Sequence, residues 1–182
     1  MSRPRVLTTE LDGLVLLEPT IHADERGFFL ETFSRSAWSE AGVDVEFLQH
    51  NHSRSNHGTL RGIHFQTEPG QAKLVRCARG RIFDVAVDMR PDSSTFGKWE
   101  RHFLDDENHH QFFVPVGFGH GFCVVSDVAD VSYLVSSPYD PSTESGFRWD
   151  DPAVSIEWPL VSPLVSDRDR EAPGFAEVTG PG

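Results

Sequence analysis

The chain has 182 residues, and 28 acidic side chains against 16 basic ones give a formal net charge of −12. That length fits one domain with a sizeable core, spanning residues 1–182, and 38% hydrophobic residues with 14 phenylalanines exclude general disorder. The acidic balance argues against nucleic acid, whose phosphates need a basic stripe, and no run of 18 apolar residues offers a membrane span.

The N-terminus, Met-Ser-Arg-Pro-Arg-Val-Leu, lacks the apolar stretch of a signal peptide, so a cytoplasmic protein is expected. Frequent Gly and Pro then punctuate short segments rich in Val, Phe and Ile, the pattern of a β-sandwich or barrel. Strands are expected at Leu14–Leu17, Gly27–Thr32, Phe47–Ser53, Gly58–Phe65, Lys73–Ala78, Arg81–Met89, Trp99–Leu104, Gln111–Pro115, Gly121–Ser126, Asp130–Ser136 and Ser155–Trp158. A short helix is expected from a cap at Ser34 or Ser36 to a stop at Gly42, and a hairpin turn at Ala78-Arg79-Gly80-Arg81. From about residue 162 the chain reads as irregular. The expected fold is all-β, an antiparallel jelly-roll barrel with one or two short helices.

Alternation assigns faces. Phe83, Val85 and Val87 point one way, and Asp84, Ala86 and Asp88 the other; Tyr133 shares a face with Val131 and Val135. Polar groups projecting into a barrel interior build a pocket. Nine histidines are many for this length. His22, His57, His102, His109 and His110 sit in polar or loop-like context and read as solvated. His64 and His120 differ, being strand residues flanked by Gly and Phe. Taken alone, each reads as a satisfied core histidine slightly better than as a functional one. A metal could use His64, Glu68 and His120, but Gln66 stands where a cupin metal site places its second histidine, and a carboxamide is a poor ligand beside imidazole. Cys77 and Cys123 lie in apolar runs and read as buried, reduced thiols. Asp24-Glu25-Arg26-Gly27 alone reads as a solvated turn. No G-x-S-x-G or phosphate-loop motif is present.

Several stretches together carry a family resemblance: Asp24–Glu31, Gln49–Ser53, Leu60–Gln66 (Leu-Arg-Gly-Ile-His-Phe-Gln), Gln71–Cys77, Phe83–Arg90, Ser94–Gly97, Pro115–Phe122 and Ser166–Asp169. In order and spacing the chain resembles the dTDP-4-dehydrorhamnose 3,5-epimerases, small metal-independent cupins, over roughly residues 12 to 174. The resemblance implies a homodimer without cofactor or metal. It also implies a substrate, dTDP-4-dehydro-6-deoxy-glucose, whose C3 and C5 protons are acidic because each is α to the C4 ketone. His64 matches the family's base, Asp169 its carboxylate partner and Tyr133 the proton donor. Lys73 matches the group near the developing oxyanion, with His120 in the same pocket. Arg26, Glu31, Gln49, Asn51, Arg61, Glu144 and Arg168 match substrate contacts, and Tyr139 the aromatic that stacks on thymine.

Strict alternation puts Arg61 and His64 on opposite faces; both can face the substrate if the strand bulges at Gly62, and otherwise Arg61 belongs to a subunit interface or a neighbouring pocket. The chain departs from the family pattern at His50, where aspartate is common, at Leu134, where lysine is common, and at Pro138. These departures leave room for an enzyme that inverts only C3 or only C5. A non-catalytic sugar-nucleotide binder and a metal-dependent cupin are the other readings. An exposed apolar strand at Val15, Leu16 and Leu17 would suit exchange between subunits.

Overall fold

A computed structural model describes residues 3–180. In chain order the strands are β1 (Arg5–Leu7), β2 (Val15–Glu18), β3 (Ile21–Asp24), β4 (Gly27–Leu30), β5 (Gln49–Asn56), β6 (Leu60–Gln66), β7 (Lys73–Arg79), β8 (Arg81–Asp88), β9 (Trp99–Asp105), β10 (Gln111–Val114), β11 (Phe118–Val124), β12 (Val128–Val135) and β13 (Glu144–Gly146). Three short helices, α1 (Arg35–Glu40), α2 (Asp167–Arg170) and α3 (Phe175–Thr179), complete the described elements. One sheet runs β1-β2-β10-β7-β12-β5, a second β13-β6-β11-β8-β9, and β3–β4 form a separate hairpin. Every strand pair is antiparallel, as expected for a jelly roll.

The period-2 pattern distributes each strand between two environments. Between the sheets, Leu16, Val75, Ile82, Ala86, Phe112, Phe122 and Val131 form the central core. On the outer face of the five-stranded sheet, Ile63, Phe83, Val85 and Val87 pack under Phe147, Val154 and Phe175 from the C-terminal region. On the outer face of the six-stranded sheet, Leu17, Leu74 and Phe113 pack under Ala37 and Trp38 of α1 and Val43. Trp38 is anchored by an indole N–H that donates to Gln111 Oε1 at 2.9 Å. Removing such a side chain typically costs about 3–5 kcal/mol. Cys77 and Cys123 are buried free thiols, as the apolar context predicts. Burial pushes both up to about 12.

Some expectations need correction. Ser155–Trp158 is not a strand: Ser155 has φ +53°, and Trp158 turns its indole N–H onto the Trp149 carbonyl, completing the outer core. The region from 162 carries α2 and α3, so there are three short helices, more than the one or two expected. Leu16 and Leu17 are buried, because β2 lies inside its sheet between β1 and β10. The exposed apolar pair belongs instead to the hairpin, where Phe28 and Phe29 are 58% and 66% exposed. His22 and His57 are exposed as expected. His102, His109 and His110 are not solvated. His102 bonds Glu100 at 2.7 Å, His109 is buried under the Phe28 ring, and half-buried His110 lies 3.9 Å from Glu18.

Candidate active site

Between the sheets a cavity of about 490 Å³ is lined by side chains from both walls. The five-stranded sheet supplies Arg61, His64 and His120; the six-stranded sheet supplies Ser53, Lys73 and Tyr133; the C-terminal region supplies Ser166, Arg168 and Asp169. His64 and Tyr133 therefore stand on opposing walls.

Arg61 and His64 both reach this cavity because the β6–β11 ladder slips. His64 pairs with His120 and Arg61 with Phe122, so two residues of β6, Gly62 and Ile63, oppose Gly121 alone. Gly62 has φ +127°, and a Cβ there would lie 2.5 Å from the Gly121 Cα. Only glycine fits.

His64 Nε2 lies 2.6 Å from Asp169 Oδ1. Asp169 is buried at the start of α2, where its own N–H donates to the Ser166 cap. Burial alone would raise its carboxyl, but hydrogen bonds from His64, Ser166 and the Gly62 N–H hold it below the usual range. A carboxylate that stays ionised orients the imidazole and stabilises its protonated form. A second such pair sits opposite. His120 Nε2 lies 2.9 and 3.1 Å from the two oxygens of Asp84, which has no solvent exposure. The sequence reading placed Asp84 on the face opposite Phe83, Val85 and Val87 without assigning it a partner; a carboxylate buried there requires one.

Lys73 touches the cavity while its ammonium lies below the surface. Burial brings it down to about 8, against the raising influence of Glu144 and Asp84. Its ammonium donates to the His64 carbonyl at 3.4 Å. Burial raises the Tyr133 phenol, with Arg61 opposing and Glu144 reinforcing, so the hydroxyl keeps its proton at neutral pH. Ser53, missed by the sequence reading, has a buried hydroxyl without a hydrogen-bond partner.

Gln49, Asn51, Tyr139 and Glu144 are not among the lining residues: Arg168, which is, meets Glu144 at 2.7 Å, and Gln49 donates to Asn51 at 2.8 Å while accepting from the Tyr139 N–H at 3.4 Å. Glu144 and Arg168 also engage the Tyr139 hydroxyl. Arg26 is not at the cavity: it lies on the β3–β4 turn, 85% exposed and paired with Asp24 at 2.5 Å. Glu31, just past β4, does not line the cavity either. Of the proposed metal set, Glu68 is exposed and both histidines are held by carboxylates. Among the described residues no group of three or more His, Cys, Asp or Glu side chains could hold a metal ion.

His50 and Leu134 are direct cross-strand partners on β5 and β12. Alternation puts them on the outer face, opposite to Asn51 and Tyr133, so these two departures do not touch the cavity.

The chain is 47% identical over 173 residues to the dTDP-4-dehydrorhamnose 3,5-epimerase of Methanothermobacter thermautotrophicus, covering 93% of this chain and 94% of that one. It is 44% identical over 174 residues to the dTDP-4-dehydrorhamnose 3-epimerase of Streptomyces niveus, covering 94% and 84%. It superposes with a TM-score of 0.93 on the dTDP-6-deoxy-D-glucose-3,5-epimerase of Legionella pneumophila solved in complex with dTDP-4-keto-L-rhamnose. That match has 40% identity and covers 98% of each chain. The family model described as dTDP-4-dehydrorhamnose 3,5-epimerase matches residues 8–177, and the chain belongs to that family.

Proposed function

We propose that this chain is an isomerase that inverts C3 and C5 of dTDP-4-dehydro-6-deoxy-glucose, giving dTDP-4-dehydro-L-rhamnose. The observation that carries the reading is the placement of His64, backed by Asp169, and of the protonated Tyr133 on opposite walls of one cavity. A sugar held between them meets a base on one face and an acid on the other. His64 takes a proton α to the C4 ketone, and the electron pair moves onto O4. Lys73 and His120 stabilise that enolate oxygen. Tyr133 then delivers its hydroxyl proton to the same carbon from the opposite face, and the tyrosinate and imidazolium re-equilibrate with solvent before the second carbon reacts. Arg61 and Arg168 bind the diphosphate, Gln49, Asn51 and Glu144 hold the nucleoside end, and Tyr139 stacks on the thymine.

Arg26 and Glu31 complete the site across a homodimer. Among the described residues the β3–β4 hairpin pairs only with itself and displays Phe28 and Phe29, while β5 is a sheet edge carrying Gln49 and Asn51. A hairpin from a second copy that lies along this edge brings its Arg26 and Glu31 to the cavity rim.

Incubation with the ketosugar nucleotide in heavy water tests the reading. Deuterium at both C3 and C5 of an inverted product supports it. Label at C3 alone favours the second reading, a 3-epimerase like the Streptomyces niveus relative. Tight binding without any exchange overturns the enzyme.

A further inference from the structure

The six-stranded sheet has a second polar feature, on the face turned away from the active-site cavity. There a depression of about 150 Å³ is lined by His50, Arg76, Gln111 and Ser132, with Thr32, Phe33, Leu74 and Leu134, and shares Tyr133 with the active-site cavity. The ladders explain the grouping. Ser132 of β12 lies directly beside Arg76 of β7, which lies directly beside Gln111 of β10. His50 reaches across from β5, with its Nε2 2.6 Å from Ser132 Oγ.

The charges here are unbalanced. Arg76 and Arg90 are the half-buried arginines of the described chain. Arg90 is neutralised by Asp88 at 2.7 Å. Arg76 has no ion-pair, hydrogen-bond or ring partner among the described residues. Burial pulls its guanidinium below the ordinary value with no carboxylate to compensate. Gln111 cannot supply a counter-charge, since its oxygen accepts from Trp38 and its nitrogen donates to the Thr32 carbonyl. In a molecule with net charge −12, a cation left unpaired in a depression is the exception. The depression has room for about five waters at roughly 30 Å³ each, enough for one small oxyanion.

We propose that Arg76, Ser132 and His50 form an oxyanion site of phosphate size, separate from the active-site cavity. The guanidinium provides a planar fork for two oxygens, and the hydrogen-bonded Ser132–His50 pair provides one further donor, the serine hydroxyl when His50 Nε2–H donates to it. The site lies on the strand that carries Tyr133, one residue away through Ser132.

Inorganic phosphate is the probe, and the intact chain is the sample. Equilibrium dialysis compares the wild type, an Arg61→Gln/Arg168→Gln double variant that weakens anion binding at the active site, and Arg76→Gln and Arg76→Lys each added to that double variant. The expected result is a phosphate bound in the wild type and in the double variant, weakened at least tenfold when Arg76→Gln is added and partly restored with Arg76→Lys in its place. Amide NMR shifts in the wild type should cluster at His50, Arg76 and Ser132, a readout that needs no variant to fold. Phosphate binding that survives Arg76→Gln, or shifts confined to Arg61, His64 and Arg168, overturns the proposal. A change in sedimentation mass on Arg76→Gln with unaltered phosphate binding also overturns it, and assigns Arg76 to a contact with a second copy instead.

Discussion

His64 and His120 face each other directly across the β6–β11 ladder, and each imidazole is held by its Nε2 to a different buried carboxylate, Asp169 for one and Asp84 for the other. The two pairs differ in what surrounds them. Asp169 sits on a short helix that closes the cavity, while Asp84 lies under the sheet and also supports the Lys73 ammonium. In the proposed mechanism the first pair moves a proton and the second orients His120 beside the ketone oxygen.

Asp169→Asn tests the first pair. The amide keeps the shape but cannot stabilise an imidazolium, so kcat should fall by about 10²–10⁴ while KM changes little. Steady-state kinetics together with binding of dTDP measures both. Turnover near the wild-type value would remove Asp169 from the mechanism.

In the proposed mechanism Lys73 sets the basic limb of the pH profile. Its ammonium is charged below about 8 and neutral above it, so kcat should decline about tenfold per pH unit beyond that point. Asp84→Asn removes a carboxylate that raises this value, and the limb should move to lower pH. A variant harmed only in packing would lose rate without moving the limb.

The same lysine opposes folding. Its folded value of about 8 lies below the ordinary 10.5, so the cost of burying the charge is fully present below pH 8. That cost is relieved as pH rises from 8 to 10.5, where the unfolded chain binds the extra proton. Lys73→Met should therefore abolish turnover yet raise stability at pH 7 by about 1–3 kcal/mol. Chemical denaturation at pH 7 and pH 10 should show the advantage shrinking at the higher pH.

Tyr133→Phe separates deprotonation from inversion. Solvent exchange of the acidic C–H should persist, because His64 is intact, while inverted product falls by about 10²-fold or more. Mass spectrometry for the label and chromatography for the product read the two steps independently. Unaltered product yield would argue against the donor role.

Gly62→Ala should damage both stability and rate. The backbone at φ +127° and a Cβ 2.5 Å from the Gly121 Cα imply a loss of about 1–3 kcal/mol or more. If the ladder realigns to escape the clash, Arg61 and His64 no longer share a face. Thermal melting and KM for the nucleotide sugar measure these consequences.

Much of this was legible in the residues. The alternation in β8 and β12 sorted Asp84 and Tyr133 onto faces without saying which is inward, and the conflict between Arg61 and His64 named Gly62 as the place for a bulge if both residues share one pocket. What alternation cannot supply is the partner across space. Asp169 and His64 are 105 residues apart, and only the closure of α2 over the cavity brings them to 2.6 Å. The hydrophobic run Val15–Leu17 was misjudged because a strand's exposure depends on its neighbours in the sheet, which local sequence does not name. Ser155–Trp158 has the composition of a strand, but its large side chains serve a third layer. His109 stands in polar sequence and is buried by Phe28, from a hairpin 81 positions earlier.

The two thiols have a further consequence. The thiolate is the form that reacts, and Cys77 and Cys123, at about 12, are almost wholly protonated at neutral pH. They belong to strands β7 and β11 of different sheets, so no single local opening bares both. In the folded chain they are sealed from oxidants and alkylating agents, Cys77 between the sheets and Cys123 beneath the C-terminal layer, and their joint reactivity becomes a clock for the moment when both layers have opened.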